Sequence, residues 1–285
     1  MPITRSILKT SQSQSTLEGA GVRLHRAFGF GDTKATDPFL LLDDFRGDAP
    51  ADYIKGFPWH PHRGIETITY VLAGNVEHGD SMGNKGVIGP GDVQWMTAGS
   101  GIIHQEMPTG DPQGRMYGFQ LWANLPRARK MTAPRYQGYT SSQIPEVVQA
   151  GGARIRVICG ELDGVRGPVE EVSIDPEYLD VELPAGLEWT HAIPSDRTAI
   201  AYVFEGDGLF DPQNKMWLSN RELVIYANGD QVNVRAGSSG LRFLLISGRP
   251  LHEPVAWYGP IVMNTAEELQ TAMHELRDGT FIKAK

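Results

Sequence analysis

Apolar residues in this chain come in short runs. In the first half these are Val22–Arg26, Phe39–Asp43, Glu66–Leu72, Val87–Ile88, Val93–Met96 and Tyr117–Trp122, segments of strand length rich in β-branched and aromatic residues. Between them fall Gly74-Asn75, Gly79-Asp80, Gly83-Asn84, Gly89-Pro90-Gly91 and Gly99–Gly101. Such residues supply left-handed backbone or a preset φ where a strand reverses. The pattern breaks over Tyr139–Gly152, where a serine cluster, a proline and a glycine pair interrupt it. It resumes at Arg154–Cys159, Leu179–Leu183, Ala199–Phe204, Leu223–Tyr226 and Leu241–Ile246. This spacing predicts an all-β protein of sandwiches or barrels, divided into residues 1–140 and 141–285. Helical periodicity appears only at the end, over Asn264–Gly279. There Thr265 and Glu268 form a capping box, Leu269, Met273 and Leu276 share a face, and Gly279 ends the helix. Its apolar stripe is expected to dock against a sheet.

The two halves carry a faint duplication. Tyr70-Val71-Leu72-Ala73-Gly74 recurs as Tyr202-Val203-Phe204-Glu205-Gly206, and Gly91-Asp92 as Gly229-Asp230. Two copies indicate a doubled domain rather than a solenoid.

Composition narrows the function classes. The 285 residues include 33 glycines and 19 prolines, with 40% hydrophobic residues, a mixture that argues against both a helical bundle and disorder. A net charge of −8 without a long basic run argues against a phosphate-tracking surface, so direct nucleic-acid binding is not expected. Apolar runs such as Phe39–Leu42 fall far short of the roughly 20 residues that span a bilayer. The single cysteine, Cys159, excludes an intramolecular disulfide and a four-thiolate zinc site. It sits in an apolar strand and reads as an inert core thiol. A cytoplasmic monomer that makes no membrane contact is the expectation.

Three of the eight histidines cluster within 45 residues as His60, His62 and His104. On an extended strand alternate side chains leave the same face, so His60 and His62 point together, as do His104 and Glu106. Two such pairs on facing strands converge on one point and offer three imidazole nitrogens and one carboxylate. That set suits divalent Fe, Mn, Co, Ni, Cu or Zn and leaves coordination positions open. Glu66 is in phase with His62 and is an alternative to Glu106, or else an acceptor for a ligand imidazole. His25, His78, His191, His252 and His274 lack a partner at a useful spacing, and transferring the duplication places no metal set in the second half. No G-x-S-x-G elbow, phosphate loop or dinucleotide fingerprint is present.

HPHRGIETITY together with GDVQWMTAGSGIIHQEMP resembles the pirin family, the two-domain branch of the cupin superfamily. DPFLLLDDF at 37–45, FQLWANLPRARKMTAPRYQ at 119–137 and GRPLHEPVAWYGPIVMNTAEE at 248–268 extend the resemblance over most of the chain. The resemblance implies a bicupin of two jelly-roll β-sandwich barrels with a short C-terminal helix. It places one divalent metal, Fe(II) first, in the N-terminal barrel, held by His60, His62, His104 and Glu106, with Glu66 outside the ligand set. Two activities are associated with the family. One is quercetin 2,3-dioxygenase chemistry, which opens the central ring of a flavonol with O2. The other is iron-dependent, redox-sensitive regulation through a transcription factor or metabolic enzyme. A metal-free scaffold is the third reading. For the first, Glu106 is the candidate proton acceptor, and Phe45, Phe57, Trp59, Met96 and Trp122 are candidate lining for the substrate. Arg63 reads as a solvated arginine beside a turn, or as a neutraliser of an anionic group.

Overall fold

The computed structural model describes residues 2–211 and 215–283. They form two compact units, each drawn from three chain segments rather than from one consecutive half. The first combines the N-terminal residues through Ser13, Lys34–Pro38 and Gln143–Pro250. The second combines Gln14–Thr33, Phe39–Ser142 and the chain from Leu251 onward. The terminal helix therefore belongs to the unit built mainly from residues 39–142, not to the domain of residues 141–285.

In the second unit a seven-stranded sheet and a four-stranded sheet form a sandwich. The larger runs Arg135–Tyr139, Val93–Thr97, Ile65–Ala73, Tyr117–Asn124, Phe39–Asp44, Val22–Phe28, Gln14–Glu18. The smaller runs Phe57–His62, Ile102–Thr109, Asn75–Asp80, Lys85–Ile88. All pairings are antiparallel. Side-chain alternation decides what each face does. On Ile65–Ala73 one face presents Ile65, Thr67, Thr69 and Val71, and Val71 packs with Val22, Leu24, Val76 and Ile88 from both sheets. The opposite face presents Glu66, Ile68 and Tyr70, all buried.

The chain after Leu251 is tied into this unit at several points. Ala256–Tyr258 and Ile261–Met263 form a ribbon, and Ile261 bridges to Arg63. The helix spans Ala266–Arg277 with Thr265 as its cap, and Glu268 closes the capping box. Leu269, Met273 and Leu276 pack against Ile261, Met263, Ala272 and Phe281, so the stripe docks on the ribbon. Arg63 is not a solvated turn residue. It is 1% exposed, pairs with Glu275 at 2.7 Å, donates to the Phe281 carbonyl at 2.8 Å, and lies over the Phe281 ring. Lys130 is a second buried strut, donating to the Gly64 and Val262 carbonyls and to Asn124 Oδ1 at 2.7–3.0 Å.

The first unit has a nine-stranded antiparallel sheet around its own core and a short ribbon of Glu161–Leu162 with Val165–Arg166. Its long strands Thr198–Asp211 and Gln231–Gly248 pair along both ends, with bulges near Val203 and Gly206. Gly206 has φ +70°, and a Cβ there would sit 2.1 Å from the Gly240 carbonyl oxygen, so only glycine lets the strands bend this closely. Gly74, its match in the duplicated motif, also takes positive φ, at +78°. Cys159 is buried, and its thiol donates to the Val169 carbonyl.

Candidate metal centre

The strand Phe57–His62 lies beside Ile102–Thr109 in the same sheet, with His60 opposite His104 and Ile102 opposite His62. The convergence therefore comes from adjacent strands, not from strands facing across the sandwich. Ring centroids are separated by 4.4 Å (His60 to His104), 4.9 Å (His60 to His62) and 5.0 Å (His62 to His104). One nitrogen from each ring lies within 4.8 Å of the other two.

On two of these rings a backbone carbonyl fixes the proton. His60 Nδ1 donates to the Pro58 carbonyl at 2.9 Å and His62 Nδ1 to the Pro260 carbonyl at 3.2 Å. Both Nε2 atoms are then bare lone pairs, yet they stand 3.1 Å apart. His104 Nε2 is sealed from solvent without a hydrogen-bond partner. Two nitrogens bound at right angles to one ion at about 2.1 Å are about 3.0 Å apart, so this set fits a divalent cation. Burial, then the neighbouring imidazoles, holds His62 and His104 well below the usual histidine range. Both rings are thus neutral and ready to ligate. Backbone acceptors on the distal nitrogens are a recurring feature of metal-binding histidines.

The two carboxylates occupy different environments. Glu106, 3% exposed, accepts from Thr69 Oγ1 at 2.8 Å and from Gln120 Nε2 at 2.8 Å, one on each oxygen. Gln120 is itself oriented, because Trp122 Nε1 donates to its Oε1 at 3.1 Å. Glu66 stands on the opposite face of its strand from Thr67 and Thr69. There it accepts from Thr97 at 2.7 Å beside the Trp95 indole, and burial raises its carboxyl. The in-phase relation of Glu66 with His62 does not hold, because Gly64, at φ +78°, turns the chain from one sheet to the other between them. Neither carboxylate lies within the 4.8 Å grouping of the three histidines.

A cleft of about 650 Å³ opens beside the imidazoles, with Phe57, His60, His62, Gln120 and Trp122 in its walls. Trp122 stands edge-on to His62 at 5.1 Å and packs on Trp257 at 5.9 Å, and Trp257 packs on Phe30 at 5.6 Å. Of the residues named as candidate lining, Phe57 and Trp122 border this cleft. Phe45 packs with Val22 and Tyr53 and lines a separate small cavity with Phe57, Glu106 and Gln120, while Met96 is buried with Ile65 and Ile102. Trp59 is 56% exposed, its ring against Gly79 on the outer side of the sheet. Because His60 and His62 turn inward, their neighbour Trp59 turns out. Sequence reasoning missed Phe30, Trp257, Tyr258 and the Arg26–Asp43 pair. Asp43, with Asp44, ends the strand Phe39–Asp44 after its apolar residues and accepts two 2.8 Å hydrogen bonds from Arg26. Burial outweighs that pairing and pushes the Asp43 carboxyl up to about 6. The aspartate pair Asp43-Asp44, which closes the apolar run Phe39–Leu42, was the available signal.

Two antiparallel barrels, one carrying a His-x-His pair joined by a third histidine, define a bicupin. The chain belongs to the pirin family: the pirin family model matches residues 21–123 and the pirin C-terminal cupin domain model matches residues 178–282. A pirin-like protein of Caulobacter vibrioides is 46% identical over 282 residues, covering 99% of this chain and 100% of that one. Pirin of Mus musculus is 39% identical over 279 residues, covering 97% and 92%. A crystal structure of quercetin 2,3-dioxygenase from Acinetobacter baumannii aligns with a TM-score of 0.89 at 32% identity over 98% of both chains.

Proposed function

We propose that this protein is a metal-dependent dioxygenase that opens the central ring of a flavonol such as quercetin, with His60, His62 and His104 holding one divalent ion and Glu106 serving as the carboxylate of the site. The observation that carries the reading is the pairing of two bare imidazole nitrogens, 3.1 Å apart, at the wall of an aromatic cleft. The Acinetobacter baumannii protein that shares the fold at 32% identity is named quercetin 2,3-dioxygenase. Fe(II) is the first choice of ion, with Ni, Co, Mn, Cu and Zn compatible with the same donors.

When bound, the ion supplies Lewis acidity toward a substrate hydroxyl and the affinity for O2 that side chains lack. The remaining work falls to the chain. Trp122, Trp257 and Phe30 offer ring faces and edges on which a planar aromatic substrate packs. Glu106 is the proton acceptor for the flavonol 3-hydroxyl. Thr69 and Gln120 hold its carboxylate in one orientation, and Trp122 fixes the Gln120 amide so that the NH2 end points at Glu106. The electron-rich flavonolate then reacts with O2, the ring opens and carbon monoxide leaves. Asp43 and Arg26 present a polar edge to the same cleft.

The test is turnover. Protein loaded in turn with each of these metals is given quercetin under O2. The expected result is loss of flavonol absorbance with carbon monoxide release for at least one metal, abolished by His104→Ala. Absence of turnover with every metal, in protein that binds them, overturns the enzyme reading in favour of a metal-dependent switch read by a protein partner.

A further inference from the structure

A second, smaller cavity lies inside the metal-bearing unit, between its two sheets. It measures about 20 Å³, and about 10–15 Å³ is enough to admit one water-sized molecule. Val22, Leu24, Phe45, Val76 and Pro108 make most of its wall, and all five are buried. Glu106, on the same strand as His104 and two residues beyond it, closes one side.

Two residues set where the cavity opens. Of its lining only Phe57 and Gln120 are partly exposed, and both also border the cleft of about 650 Å³ beside the imidazoles. The Phe57 ring centroid lies 6.4 Å from that of His60. Gln120 donates to Glu106 and accepts from Trp122, which packs on His62. The mouth therefore faces the metal centre.

The polar side chains in the wall are spent on hydrogen bonds of their own. Thr69 Oγ1 and Gln120 Nε2 each donate to a Glu106 oxygen. Asp43 accepts two hydrogen bonds from Arg26, and the Tyr53 hydroxyl donates to the Gly114 carbonyl. No wall side chain has a donor left for the oxygen of an enclosed water, and a buried water ordinarily keeps about two to four partners. Apolar walls without a free donor favour an apolar occupant of similar size. Dioxygen is such a molecule, and the chemistry assigned to the adjoining cleft consumes it.

We propose that this cavity is a holding site for dioxygen, which passes to the metal cleft between Phe57 and Gln120. The role of the gas rests on the dioxygenase reading, whereas its occupancy of the cavity is measured without turnover.

The probes are xenon and dioxygen. Crystals of the full chain pressurised with xenon should show an anomalous peak among Leu24, Val76 and Glu106. In metal-free protein, dissolved dioxygen, which is paramagnetic, should speed methyl relaxation at Val22, Leu24 and Val76 above that at Val181 and Leu245, which are also buried but lie in the other unit. Val76→Ile adds one methylene to the cavity and keeps a β-branched residue on its strand. In metal-loaded protein it should raise the KM for dioxygen about threefold and leave the KM for quercetin unchanged. No xenon peak in the cavity, or equal methyl relaxation in the two units, would overturn the inference even where quercetin is turned over. So would an unchanged KM for dioxygen in Val76→Ile whose crystal structure shows the cavity filled. A change confined to kcat would also overturn it, assigning the cavity to departing carbon monoxide. Absence of quercetin turnover in the parent, with xenon and dioxygen both found in the cavity, would remove the dioxygenase reading and leave the dioxygen site in place.

Discussion

With their Nδ1 protons held by the carbonyls of Pro58 and Pro260, His60 and His62 turn bare nitrogens toward each other, an arrangement that fits a bound cation. The three histidines were legible in the sequence because strand alternation places i and i+2 on one face. The choice between the two glutamates was not, since it depends on Gly64 switching the chain between sheets. Glu66 lies on the far face of its strand, whereas Glu106 faces Thr69. Glu106→Ala is therefore expected to reduce bound metal or flavonol turnover by about tenfold or more, and Glu66→Ala much less, measured by elemental analysis and turnover side by side. The reverse order would reassign the carboxylate. Lys130 makes a pH prediction at the same scale. Burial pulls its ammonium from 10.5 down to about 7. Below about 7 the folded and unfolded chains both hold the proton, and above 10.5 neither does. Between those values only the unfolded chain holds it, so stability rises with pH across the window. Urea unfolding at pH 7 and pH 9 should show this rise in the parent and a smaller one in Lys130→Met. An equal rise in both would assign it to other groups.

Short strands punctuated by glycine pairs, and a capped amphipathic helix, were readable as elements because each obeys a local period. What those elements dock against was not readable. The ribbon Ala256–Met263 has no strand pattern of its own, and its place beside the metal unit is set by Arg63, Lys130 and the close approach at Gly64. A Cβ at Gly64, which has φ +78°, would lie 1.9 Å from the Val262 carbonyl oxygen. Gly64→Ala should therefore cost about 2–4 kcal/mol of stability. It should also weaken metal binding, because the displaced ribbon carries the Pro260 carbonyl that orients His62. Calorimetric unfolding with a parallel metal titration checks both, and loss of stability with metal affinity intact would detach the ribbon from the centre.

At the scale of the molecule, two β-rich units, one with three clustered histidines and one without such a cluster among the described residues, match what the duplicated YVLAG and YVFEG motifs foreshadow. The pairing of distant segments does not follow from such motifs. Residues 7–12 join the sheet of the Gln143–Pro250 unit, and residues from Leu251 onward join the other. Local periodicity carries no information about which sheet edge a terminal segment completes. The aromatic cleft was equally hidden, since Phe30, Trp122 and Trp257 meet only after the C-terminal ribbon has folded back. No helix among the described residues is long and apolar enough to cross a membrane. The most direct measurement is an anomalous-scattering map from crystals of the metal-loaded protein. One peak within about 2.0–2.3 Å of the Nε2 atoms of His60, His62 and His104 is the predicted result. A map with no peak there, or with the ion seated elsewhere, would contradict a metal centre built by these three histidines.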